Sequence, residues 1–258
     1  MILKHKWGER MTFRKWDDLP ENMKNESVRR YYELLCKKRF SLVAKRIFDF
    51  IVAIITFILL SPAFIIIIIA IKLDSKGPIM FRQVRVTQYG KKFRIFKFRT
   101  MVSNADKIGL QVTTKNDSRV TKIGKILRKL RIDEFPQLFN IILGDMSFIG
   151  TRPEVIKYFE RYTEEMMATL LLPAGVTSEA SIEYKNEELL LTIADDADET
   201  YVNEVLPEKM KYNLISIEQF SFFSEIKTMF RTIVAVVKRD KSVNSINNEI
   251  DKRVKTTI

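Results

Sequence analysis

The sequence predicts a mainly α-helical, membrane-attached protein with a small β element, and three observations predict it. Residues 50–71 read FIVAIITFILLSPAFIIIIIAI, 22 positions without a charge. Gly and Pro are sparse, 8 and 7 in 258 residues, which speaks for helices over a loop-rich β architecture. Hydrophobic residues make up 46%, enough for a packed core, so the length suits one ordinary domain with appendages or two small ones.

From the N-terminus, residues 1–40 are polar with scattered aromatics such as Trp7 and Trp16. Within them NESVRRYYELLCKK predicts a short helix, capped by Asn25 or Ser27, with Val28, Tyr31 or Tyr32, and Leu35 on one side. The lone Cys36 forms no internal disulfide, in keeping with a reducing compartment. The lone His5 lies in the polar stretch, so chemistry falls to carboxylates, Lys, Tyr, Ser or Thr.

The apolar run starts too late for a signal peptide, and about 20 apolar residues suffice for a helix to cross a bilayer core. Ser61 and Pro62 interrupt its middle. Proline removes one helix hydrogen bond and kinks the chain, and the Ser61 hydroxyl is placed to bond a freed carbonyl. Lys45 and Arg46 precede the run and Lys72 and Lys76 follow it, a pattern that puts both ends on the cytoplasmic side. The residues alone leave a kinked spanning helix and a helix that enters and leaves by one face both open. Asp49, at the entrance, is expected to pair with a nearby cation.

Charge is then segregated. Residues 72–134 hold 17 Lys/Arg against 5 Asp/Glu, whereas 154–208 hold 3 against 14. The basic block suits anionic headgroups, anionic substrates, or both. In it, Gly77-Pro78 and Tyr89-Gly90 mark turns, and Phe96 to Arg99 alternate apolar and basic, so a strand would put Lys97 and Arg99 on one face. Interleaved aromatic and basic residues also suit single-stranded nucleic acid, a reading set aside beside a membrane anchor. TKIGKILRKLR predicts a basic amphipathic helix, with Ile123, Ile126, Leu127 and Leu130 apolar and Lys122, Lys125, Arg128 and Lys129 opposite. Pro136 then opens a helix and Gly144 closes it. Near the C-terminus, Ile226, Met229 or Phe230, Ile233 and Val237 form a stripe that we read as a core helix rather than a second membrane contact.

Asp133 and Glu134 stand just ahead of the Pro136 helix. A helix N-terminus favours an ionised carboxylate, and an ionised carboxylate can attack phosphorus. Two adjacent carboxylates repel, which a cation relieves; Mg²⁺ takes oxygen ligands and works beside substrate phosphates. By spacing alone such a pair reads as surface or capping residues. Its setting, after a basic helix in a membrane-bound chain without usable histidine, points instead to chemistry.

These residues carry a resemblance. KRIFD at 45–49, Ser61-Pro62, GPIMFRQVRV at 77–86, KFRTM at 97–101 and GKILRKLRIDEFPQLFNIILGDMSFIGTRPE at 124–154 resemble, in order and spacing, the bacterial sugar transferases, small monotopic polyprenyl-phosphate phosphoglycosyl transferases. The resemblance covers about four fifths of the chain. LPENMKNESVRRYY at 19–32, YKNEELL at 184–190 and YVNEVLPEKM at 201–210 look like a subgroup with an extended tail.

The resemblance implies a monotopic protein on the cytoplasmic face of the bacterial plasma membrane. It would have an N-terminal extension (1–44), a re-entrant helix (45–72) broken at Ser61-Pro62, and a cytoplasmic catalytic domain with a C-terminal extension (73–258). It implies that Asp133 takes a phospho-sugar from a UDP-sugar and that undecaprenyl phosphate then receives it, starting a capsule, exopolysaccharide or O-antigen unit. Glu134 would hold Mg²⁺, while Arg128 and Arg152 bind phosphates or the nucleotide sugar, with Lys97 and Arg99 as further members of the anionic pocket. Asp145 would brace a turn. The other expected partners are membrane lipids, with a homodimer left open and nucleic acid not expected. Departures from the family pattern are Thr151 ahead of Arg152-Pro153, Phe135 in Asp133-Glu134-Phe135-Pro136, and PAGVTSEAS at 173–181, with Ala174 inserted and Ser178 and Ser181 replacing Gly and Gln. The alternative function is a non-catalytic basic membrane adaptor, against which the intact Asp133, Glu134, Arg128 and Arg152 speak.

Overall fold

A computed structural model describes residues 13–105, 117–184 and 196–235. Asn25 caps α1 (Glu26–Cys36), its side chain accepting from the Val28 N–H at 2.9 Å. The buried Val28, Tyr31, Tyr32 and Leu35 are the side that periodicity selected. They share a core with Leu19 and Met23, the 3-10 segment Met166–Leu171, and Leu214, Ile217 and Phe220. Residues 19–35 thus pack within the main body.

Helix α2 (Arg39–Asp74) is, among the described residues, the one helix long and apolar enough to cross a membrane. Its 36 residues run helically through Ser61-Pro62, where a break was expected, and extend for roughly 54 Å at 1.5 Å per residue. The Ile58 carbonyl is the one that Pro62, lacking an N–H, leaves without its helical donor. The Ser61 hydroxyl donates to it at 2.8 Å, as expected. One side of α2 is buried in two stretches, Lys45 to Ala53 and Phe64 to Ile71, with Phe57 and Leu60 half-buried between them. Ala53 packs with Leu138, Ile141 and Met146, and Phe64, Ile67 and Ile71 pack with Phe98 and Leu127. Outward, Ile51, Ile55, Ile58, Ile65, Ile66 and Ile69 are exposed.

After Gly77-Pro78 the chain forms an antiparallel hairpin, β1 (Met80–Val86) and β2 (Lys92–Phe98), with Met80 opposite Phe98 and Val86 opposite Lys92. Helix α3 (Lys122–Lys129) follows, capped by Thr121. Gly124 lets α3 sit on the backbone of Thr100, where a Cβ would come within 2.1 Å of the carbonyl oxygen. Only part of the expected apolar side is covered: Leu127 is buried, but Ile126 and Leu130 are exposed. Next come α4 (Gln137–Leu143) and β3 (Met146–Ile149). Strand β4 (Ala174–Thr177) pairs with β3 in parallel, Met146 opposite Ala174 and Ile149 opposite Thr177. Short helices α5 (Ile156–Phe159), α6 (Glu179–Glu183) and α7 (Ala197–Thr200) lead to α8 (Leu206–Glu218) and a final helix, α9, at 222–235.

The architecture is therefore mainly helical, with two small sheets among the described residues. It corrects the expectation for the C-terminal stripe. On α9, Ile226 and Met229 are half-buried and Phe230 and Ile233 are exposed, while the buried residue is Thr228. Polar bonds hold the inner side of this helix, so its apolar residues face out. Val237 lies outside the described residues, as do 185–190 of the YKNEELL segment.

Candidate active site

Asp133 and Glu134 lie on a 3-10 turn (Ile132–Glu134) between α3 and α4. Arg131 enters the turn with φ +58°, a left-handed conformation that costs a non-glycine residue about 1–2 kcal/mol. The chain reverses there and brings the carboxylates back towards β2. Pro136 holds helical φ and ψ one position ahead of α4, and Gly144, at φ +84°, ends it. Asn140 fixes α4 against the strand: its amide oxygen accepts from Phe96 N–H and its amide nitrogen donates to the Arg94 carbonyl, both at 2.9 Å. That double bond sets the phase of β2 and delivers Lys97, the next residue, to Glu134.

Glu134 is the centre of the cluster. Lys97 Nζ donates to Oε1 at 2.7 Å, and Arg152 Nη2 to the same oxygen at 2.6 Å. Arg152 Nη1 reaches Oε2 at 3.3 Å and also the Val176 carbonyl at 3.3 Å. Burial pushes the Glu134 carboxyl up, but the Arg152 and Lys97 charges outweigh it and hold the group well below the usual carboxylate range. Lys97 is itself shifted down, by burial first and by Arg152, against the pull of Glu134.

Asp133 is the opposite case. Among the described residues nothing hydrogen-bonds its carboxylate. Burial and the adjacent Glu134 charge raise its pKa, against the opposing pull of Lys97, Arg128 and Arg131. Of the two opposed effects the sequence offered, the helix terminus and the neighbouring carboxylate, the neighbouring charge wins, joined by desolvation. A carboxylate that is poorly solvated and unbonded is a reactive one.

Arg128 is held by Thr100, donating from Nε to the hydroxyl at 2.9 Å, and its charge acts on Asp133. Arg99 is not in the pocket. The strand ends at Phe98, and the buried Arg99 guanidinium turns away to the end of α2, donating to Ser75 O at 2.6 Å, Ser75 Oγ at 2.8 Å and Lys76 O at 3.1 Å. Asp145 braces the hairpin turn: its carbonyl accepts from the Thr87 hydroxyl at 2.6 Å and its carboxylate pairs with Lys91 at 3.4 Å. Asp49 pairs with Lys45 at 3.8 Å and accepts from Ser147 at 2.7 Å. Sequence reasoning missed Thr100 and Asn140. A polar residue among Leu138, Phe139, Ile141 and Ile142 was the available signal for Asn140.

Mg²⁺ fits this donor set. Glu134 is held ionised, its Oε2 accepts only the longer Arg152 bond, and Asp133 adds a neighbouring carboxylate oxygen. Among the described residues no group of three or more His, Cys, Asp or Glu gathers, so substrate phosphates and waters would complete the shell.

The family of bacterial sugar transferases matches residues 40–239. The UDP-N-acetylgalactosamine-undecaprenyl-phosphate N-acetylgalactosaminephosphotransferase of Aeromonas hydrophila is 36% identical over 196 residues, covering 75% of this chain and 43% of that protein. The UDP-glucose:undecaprenyl-phosphate glucose-1-phosphate transferase of Klebsiella pneumoniae is 37% identical over 198 residues, covering 75% and 40%. The chain thus spans under half the length of these two curated relatives. The uncharacterized sugar transferase EpsL of Bacillus subtilis is 31% identical, covering 76% of this chain and 88% of that protein. With the match running unbroken through α2 and the carboxylate cluster, the chain belongs to the bacterial sugar transferase family.

Proposed function

We propose that the protein transfers a sugar phosphate from a UDP-sugar to undecaprenyl phosphate at the cytoplasmic face of the plasma membrane, starting a capsule, exopolysaccharide or O-antigen unit. One observation carries the proposal: Asp133, whose carboxylate has no hydrogen bond among the described residues, adjoins a carboxylate locked between Lys97 and Arg152. An Asp133 oxygen attacks the β-phosphorus. The bond from that phosphorus to the bridging oxygen breaks, and UMP leaves with the electron pair. An oxygen of the lipid phosphate then attacks the aspartyl phospho-sugar, breaks the Asp133–phosphorus bond and regenerates the carboxylate. No proton transfer is needed, which fits a site without histidine.

Arg152 and Arg128 bind the diphosphate and offset its growing charge. Glu134 orients Lys97 and Arg152 and would hold Mg²⁺, which supplies charge neutralisation at the phosphates when bound. A re-entrant α2 is supported by its packing. Residues before Ser61-Pro62, such as Ala53, and beyond it, such as Phe64 and Ile71, all rest on the same body. A straight perpendicular span would carry its far half away from that body.

The test is a panel of UDP-sugars with undecaprenyl phosphate and Mg²⁺, following UMP release. One sugar should support turnover, and release of UMP with none of them refutes the substrate class. A pH profile adds a second check. Asp133 reacts when deprotonated and its pKa is raised, so kcat/KM is lost as pH falls through a value above the ordinary aspartate range. Lys97 pulls that pKa down, so Lys97→Met should move the acid limb upward. An unmoved limb would show that a different group titrates.

A further inference from the structure

The YVNEVLPEKM segment at 201–210 meets the loop of Arg152. Between α7 and α8 the helix widens into a π turn, Tyr201–Val205, closed by the Leu206 N–H on the Tyr201 carbonyl. Pro207 favours the widening: it has no N–H for the Asn203 carbonyl, and its ring crowds that oxygen. Such turns recur at functional sites. The widening also changes which side chains meet. Eight residues along an unbroken α-helix leave two side chains about 80° apart, and one extra residue taken into a turn reduces this to about 20°. Lys209 is thus brought over the Tyr201 ring, its Nζ 5.2 Å from the ring centroid and 3.4 Å from the hydroxyl.

The Tyr201 ring packs with Met166, Val205, Leu206 and Met210, where a phenylalanine would serve as well. The hydroxyl does something else. It donates at 2.6 Å to Glu154 Oε1, and Glu154 is itself buried. A carboxylate taken out of water is costly without a donor. Glu154 is the second residue after Arg152. Its backbone is pinned to the end of β1: the Val86 N–H donates to the Glu154 carbonyl and Arg85 Nη1 to the Pro153 carbonyl, each at 3.1 Å. On the other side of Arg152, the Gly175 N–H donates to the Thr151 carbonyl at 2.9 Å. The Arg152 guanidinium therefore projects from a loop held by β4 on one side and by β1 and Tyr201 on the other. The Glu154 charge also acts on Arg85, where it opposes the repulsion from Arg152.

We propose that Tyr201 is a positioning residue for the transfer: by holding the Glu154 carboxylate, it fixes the loop that presents Arg152 to the diphosphate of the sugar nucleotide. The inference rests on the reading of Arg152 as a diphosphate ligand. It gives the segment after α6 a part in the site, although none of its residues lies in the carboxylate cluster. A second tyrosine on the same seam separates this role from simple docking. Tyr158 stacks on Tyr201, ring centroids 4.4 Å apart, and donates to Asp198 of α7 at 2.5 Å. Among the described residues it has no hydrogen bond to Glu154.

The test follows UMP release by full chains in nanodiscs, with the UDP-sugar that the parent turns over. Tyr201→Phe should raise KM for that sugar nucleotide about tenfold and change kcat by less than about threefold, because the lost interaction is one of binding. Tyr158→Phe should keep both parent values. Parent-like kinetics for Tyr201→Phe overturn the proposal. An equal rise in KM for the two variants overturns it too, by making both hydroxyls mere anchors of the segment. Should Tyr201→Phe fail to fold, the other end of the bond decides. Glu154→Gln keeps an oxygen for the Tyr201 hydroxyl and Glu154→Leu does not, so KM should rise several-fold more with leucine; equal values overturn the proposal. A parent that releases no UMP with any UDP-sugar sinks the reading beneath, whereas an active parent whose KM ignores Tyr201→Phe sinks the positioning role alone.

Discussion

Asp133→Asn is expected to abolish UMP release from the sugar nucleotide, by roughly 10⁴-fold or more, with the fold and membrane retention unchanged. The amide can neither ionise nor form the phosphate ester, so the first half-reaction is lost even without lipid acceptor. The structure makes this substitution clean. Nothing among the described residues hydrogen-bonds the Asp133 carboxylate, and burial already disfavours its charge. The variant should therefore melt within about 0.5 kcal/mol of the parent or slightly above it. Glu134→Gln should behave differently. It leaves the Asp133 oxygen in place but frees Lys97 and Arg152 from their shared anion, so UMP release should fall by roughly 10²–10³-fold and stay measurable. The contrast is read in a single-turnover assay with radiolabelled UDP-sugar. Label should accumulate on the parent protein without acceptor, remain detectable on Glu134→Gln, and be absent from Asp133→Asn. Equal labelling of Asp133→Asn and the parent would place the covalent bond on another side chain.

How far the sequence reaches depends on whether an interaction is local. The cap of α1 is local, an Asn three residues ahead of Val28, and the structure uses it. The partner of the Ile58 carbonyl is local too, because the residue before a proline is the one placed to reach the freed oxygen. The dyad and its two cations are non-local, 18 and 37 residues apart along the chain, and they became legible only as family motifs. What the sequence could not reveal is what lies outside. A stripe at helical spacing looks the same whether a protein core or a lipid layer receives it. That is why α9 reads as a core helix until its Thr228, Thr232 and Glu225 are seen bonded inward. Strand alternation failed at Arg99 for a different reason. It holds only while the strand lasts, and β2 stops at Phe98.

Arg99→Met is expected to destabilise the protein more than any substitution in the pocket, by about 3 kcal/mol, or roughly 6–12 °C in Tm at a fixed scan rate. The last carbonyls of a helix have no intrahelical donor and carry partial negative charge. At the end of α2 the Arg99 guanidinium meets that need. Its four hydrogen bonds go to Ile71 O, Ser75 O, Ser75 Oγ and Lys76 O, all at the exit from the apolar run. The exit turn is shaped around the guanidinium. Gly77 sits at φ +127°, and a Cβ there would come within 2.3 Å of Arg99 Nη1. The helix end thus serves as the counter-charge of a buried cation, and the cation fixes the direction in which the chain leaves α2 for β1. Methionine keeps the apolar stem but removes the guanidinium donor from Ser75 O and from Ile71 O and Lys76 O, which are left with the Ser75 N–H and the Ser103 hydroxyl respectively. Arg99→Lys should recover part of the loss, since one ammonium cannot reproduce the planar fork across three residues. If Arg99→Met melts with the parent, the clamp is idle, and the exit geometry must come from the packing of Ile71 on Phe98 and Leu127.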